Sequence, residues 1–329
     1  MPEPTVPPLA ITEINLGFNR LRTVPASIVE YRNLRVLRLN HNQLETLPDE
    51  LADLPQLREL TLSANPLRVF PLALLRLPKL EVLRIDQADM AEIPAAFQPK
   101  ALVHLSLARN QIASIPDGLF ERASSLRTLR LSSNRLKPLP TSIGELVDLK
   151  ELDLSYNGLE SLPEELGQLG RLEALDLQGN RLRTLPEAFG LLTALRRLTL
   201  HDNELTALPE SICRLAALER LDLSHNALAS LPEAIDGWRS LRWLVLSENH
   251  LAALPDAFCR LSALTHCFLR HNDLSELPSG GGVEALPALK VFAFSGNAFP
   301  AGLKPPSAFG CMLKAPEGSL QDGFFRAVR

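Results

Sequence analysis

The chain has 329 residues, and 34 Lys and Arg against 38 Asp and Glu leave a formal net charge of −4. No clustered excess of Lys and Arg is present to neutralise phosphates, so nucleic acid is not an expected partner. Hydrophobic residues make up 46% but aromatics only 5%, which asks for a core of aliphatic side chains, and no apolar run approaches the ~18 residues of a membrane span. Four cysteines are too few for a disulfide scaffold. Residues 1–8, Met-Pro-Glu-Pro-Thr-Val-Pro-Pro, have neither the basic nor the apolar stretch of a signal peptide. No Asn-x-Ser/Thr sequon occurs. The expectation is a soluble, cytoplasmic monomer that does not engage a membrane.

Residues 1–10 read as a Pro-rich N-terminal arm, whose prolines discourage edge-to-edge strand pairing while hiding little core. From residue 11 to 300 one string recurs, Leu-x-x-Leu-x-Leu-x-x-Asn-x-Leu-x-x-Leu-Pro. Its asparagine falls at Asn19, Asn42, Asn65, Asn110, Asn134, Asn157, Asn180, Asn203, Asn226, Asn249, Asn272 and Asn297, and Ala88 fills the slot after Asn65. That makes thirteen units, spaced by 22 to 24 residues except for a final step of 25. A proline follows six residues after the slot from Pro25 through Pro278 without a miss. Such regularity predicts a solenoid in which stacked units bury one continuous ribbon.

One unit shows the logic. Leu152 and Leu154 lie two apart and point inward from a short strand, while Glu151, Asp153 and Ser155 face out. Asn157 ends the strand at a tight turn and bonds backbone groups that the turn leaves unpaired. Leu159 and Leu162 return to the core, Pro163 starts a helical turn with φ already set, and Leu166 packs from the outer side. Three places break the pattern. At Ala88 the neighbours Asp86, Gln87 and Asp89 either substitute for the asparagine or leave a weak point. Pro66 is expected only to stiffen its turn. The Gly280, Gly281, Gly282 run is a hinge or, as favoured, a tolerated insertion. Residues 301–329 read as a C-terminal cap whose Phe309, Phe324 and Phe325, with Phe299 before them, cover the last repeat, or as a partner-binding tail.

Over residues 11 to 300 these motifs resemble the leucine-rich-repeat proteins, in the 23-residue Leu-Pro class found in intracellular Ras-suppressor-type proteins, plant intracellular Ras-group repeats and bacterial effectors. The resemblance implies an α/β fold, a right-handed horseshoe of about 13 repeats with a parallel concave sheet and short helices on the convex side. It also implies binding of other proteins on the concave face. Cys213 and Cys259 share a convex column two repeats apart, beyond the ~7 Å a disulfide spans, and Cys267 replaces a strand leucine. All three read as small hydrophobes.

Function is then sought where the repeat does not dictate the residue. Along those columns Arg38, Arg84, His104 and Arg130 come first. Glu151, Asp153, Asp176 and Asp222 follow, bordered by Arg197 and Arg220. Trp243, Val245, His266 and Phe268 come last. The face thus runs from basic to acidic to aromatic. Charged stripes also arise on any exposed sheet face. Trp243 and Phe268, expected on a wet face, read as partner anchors or as residues packed beneath the tail. Just before the asparagines, Asp202, His225, Glu248 and His271 alternate acid and imidazole, as a solvated ladder or as a metal- or pH-responsive patch.

No nucleotide-binding, hydrolase, metalloprotease or Cys-x-x-Cys motif is found, and Cys311 stands alone, so neither an enzyme nor a cofactor is expected. The leading reading is an intracellular protein–protein interaction module or adaptor, working in signalling through its concave face. The alternative is a substrate-recognition subunit or effector acting with a ubiquitin ligase or other enzyme on a separate chain.

Overall fold

The computed structural model describes residues 8–98, 100–121, 123–278 and 286–299. They form one parallel, open sheet of 13 strands in chain order. Its strands are β1 (Glu13–Asn15), β2 (Val36–Arg38), β3 (Glu59–Thr61), β4 (Val82–Arg84), β5 (His104–Ser106), β6 (Thr128–Arg130) and β7 (Glu151–Asp153), followed by β8 (Ala174–Asp176), β9 (Arg197–Thr199), β10 (Arg220–Asp222), β11 (Trp243–Val245), β12 (His266–Phe268) and β13 (Val291–Ala293). Every pair is in step with the repeat, so that Leu152 faces Leu175 and Leu175 faces Leu198. Because the register repeats, each residue type stacks into a column running across the sheet.

The leucines behave as their spacing predicts. Leu152, Leu154, Leu159, Leu162 and Leu166 are all buried, and one continuous core runs from Val24 to Phe292. The convex side is built from 3-10 turns such as Glu164–Gln168 rather than from α-helix. Pro163 is not inside its helical turn. It caps that turn in an extended conformation, φ −73° and ψ 150°, and its carbonyl accepts the Leu166 N–H at 3.1 Å. The aliphatic core expected from composition holds along most strands, but β13 contributes Phe292 and the convex layer adds Phe120, Phe189, Phe258 and Trp238, all fully buried. Trp238 keeps its indole N–H satisfied by donating to the Ile212 carbonyl at 2.9 Å. Adjacent convex turns approach so closely that a Cβ on Gly190 would lie 2.3 Å from the Ser211 carbonyl oxygen.

The asparagines bind repeats together. Asn180 Nδ2 donates to Leu177 O within its own turn and to Leu154 O of the preceding repeat, while its Oδ1 accepts the Leu159 N–H. The same set recurs from Asn42 to Asn297. At Ala88 the set is missing. Leu67 N–H turns instead to Asn65 O at 2.9 Å, Val69 N–H to Leu67 O, and Arg68 adopts φ 59°. Of the three neighbours, Asp86 does the stitching, accepting from the Ser63 and Ser106 hydroxyls and the Ala108 N–H. Pro66 does more than stiffen its turn. It removes an N–H that elsewhere bonds the preceding repeat, as Gly158 does to Leu136 O at 2.8 Å.

The residue before every slot, from Phe18 to Gly296, has positive φ, although only Gly179 and Gly296 are glycine. This places Asp202, His225, Glu248 and His271 in left-handed turns at the rim, not on the sheet. At the N-terminal end Pro8–Ala10 forms a short 3-10 turn, and Leu9 O accepts from Asn33 Nδ2. At the other end Phe299 packs edge-on against Phe294. Residues 1–7, the Gly280–Gly282 run, Cys311, Phe309, Phe324 and Phe325 lie outside the described residues.

Candidate protein-binding face

Two outward columns form the concave face, the first and third residues of each strand. The first runs Thr128, Glu151, Ala174, Arg197, Arg220, Trp243, His266; the third runs Arg130, Asp153, Asp176, Thr199, Asp222, Val245, Phe268. Three chemical zones follow one another along them.

The first zone is basic. Arg38 is clamped between Glu13 and Glu59, so its charge is matched. Arg84 and Arg130 are held more loosely, 3.8 Å from Glu59 and 3.6 Å from Glu151. Together with His104, Arg127 and Lys150 they wall a cleft of about 630 Å³. His104 is half-buried, and burial followed by Arg84, Arg130 and Arg127 pushes its pKa down against the pull of Glu151.

The second zone is acidic and drier than expected. Ser155 is buried on the outward face, with its hydroxyl and N–H both on Asp153 Oδ1. Asp222 holds Ser224 the same way, and Asp176 accepts the Gln178 N–H at 3.1 Å. Asp176 is 8% exposed. Its burial, then the charges of Asp153 and Asp222, push its carboxyl up to about 7 against that hydrogen bond. Burial likewise raises Asp222, opposed by Ser224 and by His201 and His225. Thr199 stands between Asp176 and Asp222, buried, with no partner for its hydroxyl among the described residues. Arg197 and Arg220 lie side by side in the neighbouring column.

The third zone is aromatic. Phe268, expected to stand exposed, is 3% exposed and packs with Val245 and Ala293, flanked by Trp243 and Val291. Trp243 stacks on His266 with centroids 4.2 Å apart and meets Phe268 at 5.6 Å. Thr265 Oγ1 contacts His266 Nδ1 at 2.9 Å, and burial followed by Lys290 lowers the His266 pKa. The Trp243 indole nitrogen is buried and has no hydrogen-bond partner among the described residues.

The rim column brings together less than its alternation suggests. His271 Nε2 lies 3.9 Å from Glu248, but Asp202 is met by the His201 ring, which also reaches Gln178. Among the described residues no group of three His, Cys, Asp or Glu could hold a metal ion. Cys213, Cys259 and Cys267 are free, buried thiols whose pKa values burial raises. Arg127 and Lys150 were missed by reading only the strand columns. They occupy the first variable position before the strand, where Arg58–Glu81, Lys150–Glu173 and Arg196–Glu219 pair across repeats.

Leucine-rich-repeat family models match residues 10–67 and 78–136, a leucine-rich-repeat region model matches 123–226, and single repeats match 217–238 and 240–261. A leucine-rich-repeat protein of Leptospira interrogans is 32% identical, with 87% of this chain and 79% of that chain aligned and a TM-score of 0.73. The ectodomain of the Arabidopsis thaliana receptor kinase GASSHO1/SCHENGEN3, solved in complex with CASPARIAN STRIP INTEGRITY FACTOR 2, is 30% identical with a TM-score of 0.76; the match covers 87% of this chain and 36% of that one. An internalin of Listeria monocytogenes, 18% identical over 87% of each chain at a TM-score of 0.66, shares the fold. Among curated proteins, bovine osteomodulin is 42% identical over 53 residues, a stretch spanning 16% of this chain and 13% of that protein. The repeat matches and the likeness to the Leptospira protein over most of both chains establish that the chain belongs to the leucine-rich-repeat family.

Proposed function

We propose that the chain is a preformed protein-binding module, holding a protein partner on its concave face and working inside the cell as an adaptor. Leucine-rich-repeat solenoids are protein-interaction modules, and the likeness to an ectodomain solved with a bound factor supports the same use here. One observation carries the placement. Trp243 sits on the concave face among Phe268, Val245 and His266 with a buried indole N–H that has no partner among the described residues. Leaving such a donor unpaired costs ~1–3 kcal/mol, and a partner whose docking turns the indole so that its N–H meets a carbonyl would relieve that cost. The three thiols among the described residues are unpaired, in accord with a reducing compartment.

The test is site-specific photo-crosslinking in the source cell. A photoreactive amino acid at Arg220, beside the aromatic patch, should capture a discrete protein adduct, and one at Glu187 on the convex side should not. Capture from Glu187 alone would place the interface on the convex side. A fluorescent fusion that left the cytoplasm would overturn the compartment.

A further inference from the structure

We infer that the cleft walled by Arg84, Arg127 and Arg130 above His104 seats an acidic segment of the protein partner, with two or more neighbouring Asp or Glu carboxylates entering it. This rests on the concave-face reading and names the chemistry of the partner at one end of that face. Three observations carry it. The first is space: the cleft measures about 630 Å³, room for two carboxylate side chains.

The second is charge that the protein itself leaves loosely matched. Arg38 lies between two carboxylates, and Arg58 and Lys150 each contact one closely. By contrast the nearest carboxylates to Arg84 and Arg130 stand at 3.8 and 3.6 Å, and Arg127 has no carboxylate within 4 Å among the described residues. Asp86 and Glu151 line the cleft too, but the Asp86 oxygens are taken by Ser63, Ser106 and Ala108, and Glu151 faces Arg130, so the four cations Arg84, Arg127, Arg130 and Lys150 outnumber them.

The third is the state of His104. It faces Arg84 and Asp86 from the β4 repeat, Arg127 and Arg130 from the β6 repeat, and Glu151 from β7. After burial, Arg84, Arg130 and Arg127 disfavour its protonation against the pull of Glu151, so the cleft floor senses positive potential.

Size and surroundings choose the occupant. The cleft crosses β4 to β7, roughly 15 Å at ~4.8 Å per strand, and acidic residues bound it, Glu59 on one side and Asp153 on the other. A nucleic-acid backbone needs a longer stripe of cations to release its counterions. A short acidic peptide does not.

The probe is a fluorescein-labelled peptide with four consecutive glutamates, titrated with the full chain by fluorescence anisotropy at low salt. Arg84→Ala with Arg130→Ala should weaken binding by about 10-fold or more, as for charge pairs across an interface. Arg214→Ala, in the convex turn Glu210–Arg214, should change it by less than about twofold. Trp243→Ala should also leave it unchanged, since β11 lies six strands from β5, roughly 30 Å away. Bound carboxylates should raise the His104 pKa seen by NMR, so affinity should grow as pH falls from 8 to 6; the glutamine version of the peptide should do neither.

Equal binding of the glutamine peptide, or full binding by the double arginine variant, overturns the inference. So does tighter binding of an oligouridylate or of a phosphoserine version in the same cleft, each of which assigns another occupant. If the glutamate peptide fails while crosslinking from Arg220 still captures a partner, only the acidic segment falls. If that crosslink fails as well, the concave-face reading falls with it.

Discussion

Asn180 Nδ2 lies 3.0 Å from the Leu154 carbonyl oxygen of the preceding repeat, and its Oδ1 receives the Leu159 N–H at 3.1 Å. One side chain thus closes its own turn and fastens it to the repeat before it. The amide is buried, so its loss leaves backbone groups unpaired in a dry turn. Asn180→Ala is expected to cost ~1–3 kcal/mol, read as a lower urea midpoint with an intact circular dichroism spectrum. Ala88→Asn should be neutral or stabilising, because it restores an acceptor for Leu67 N–H. A silent Asn180→Ala would show that the turn does not depend on the amide.

The convex layer makes a separate demand. A Cβ on Gly190 would meet Ser211 O at 2.3 Å and Ser211 C at 2.8 Å, all backbone that cannot rotate away. Gly190→Ala is therefore expected to destabilise by ~1–3 kcal/mol as overpacking does. Gly170→Ala meets nothing within 4 Å and should be neutral or slightly stabilising through the unfolded chain. Chemical denaturation of both variants checks the pair, and equal midpoints would refute the close approach.

Sequence spacing reveals the ribbon of leucines and the asparagine ladder because each position is repeated, so a single exception such as Ala88 stands out against its column. The left-handed residue before each slot is hidden for the opposite reason. His41, Tyr156, Glu248 and the rest share no side-chain type, since the fold imposes φ through the backbone bonds of the turn, as when Tyr156 N–H donates to Gln178 O. The candidate face was legible in its order of basic, acidic and aromatic residues but not in its dryness. Alternation says that Asp176 and Phe268 point away from the leucines. It does not say that residues of the neighbouring strands, here Asp153 and Thr199 or Trp243 and Ala293, crowd over them. Arg127 and Lys150 stayed hidden because they precede the strand and reach the cleft through long side chains.

The dryness has a pH signature. Asp176 titrates near 7 in the folded chain, against about 3.9 for a free aspartate. The folded state therefore holds the proton more tightly, so this group's stabilising contribution is full below about pH 4 and is lost as pH rises towards 7. Asp176→Asn keeps an oxygen for the Gln178 N–H and removes the charge. The variant should be more stable than wild type at pH 8, with a shallower fall in urea midpoint between pH 5 and 8. If the midpoints fell in parallel, Asp176 would not be the group responsible; Asp222, raised in the same direction by burial, would then be the next to replace.

Trp243→Phe separates stability from binding at the aromatic patch. The substitution keeps a ring to stack on His266 and Phe268 and deletes the buried N–H, which has no partner among the described residues. If that donor is held for a partner, its removal should leave the free chain as stable as wild type, or up to ~1–3 kcal/mol more stable, since an unsatisfied group has gone. Binding of the crosslinked partner should nonetheless weaken by about 10-fold, roughly 1.4 kcal/mol, because the partner's acceptor then goes unpaired at the centre of the contact. Calorimetric titration with the purified partner, alongside thermal melts of the free variant, reads both quantities. Unchanged affinity with raised stability would make the N–H a defect of packing rather than a recognition group, and the concave anchor would then have to be sought in the ring faces alone.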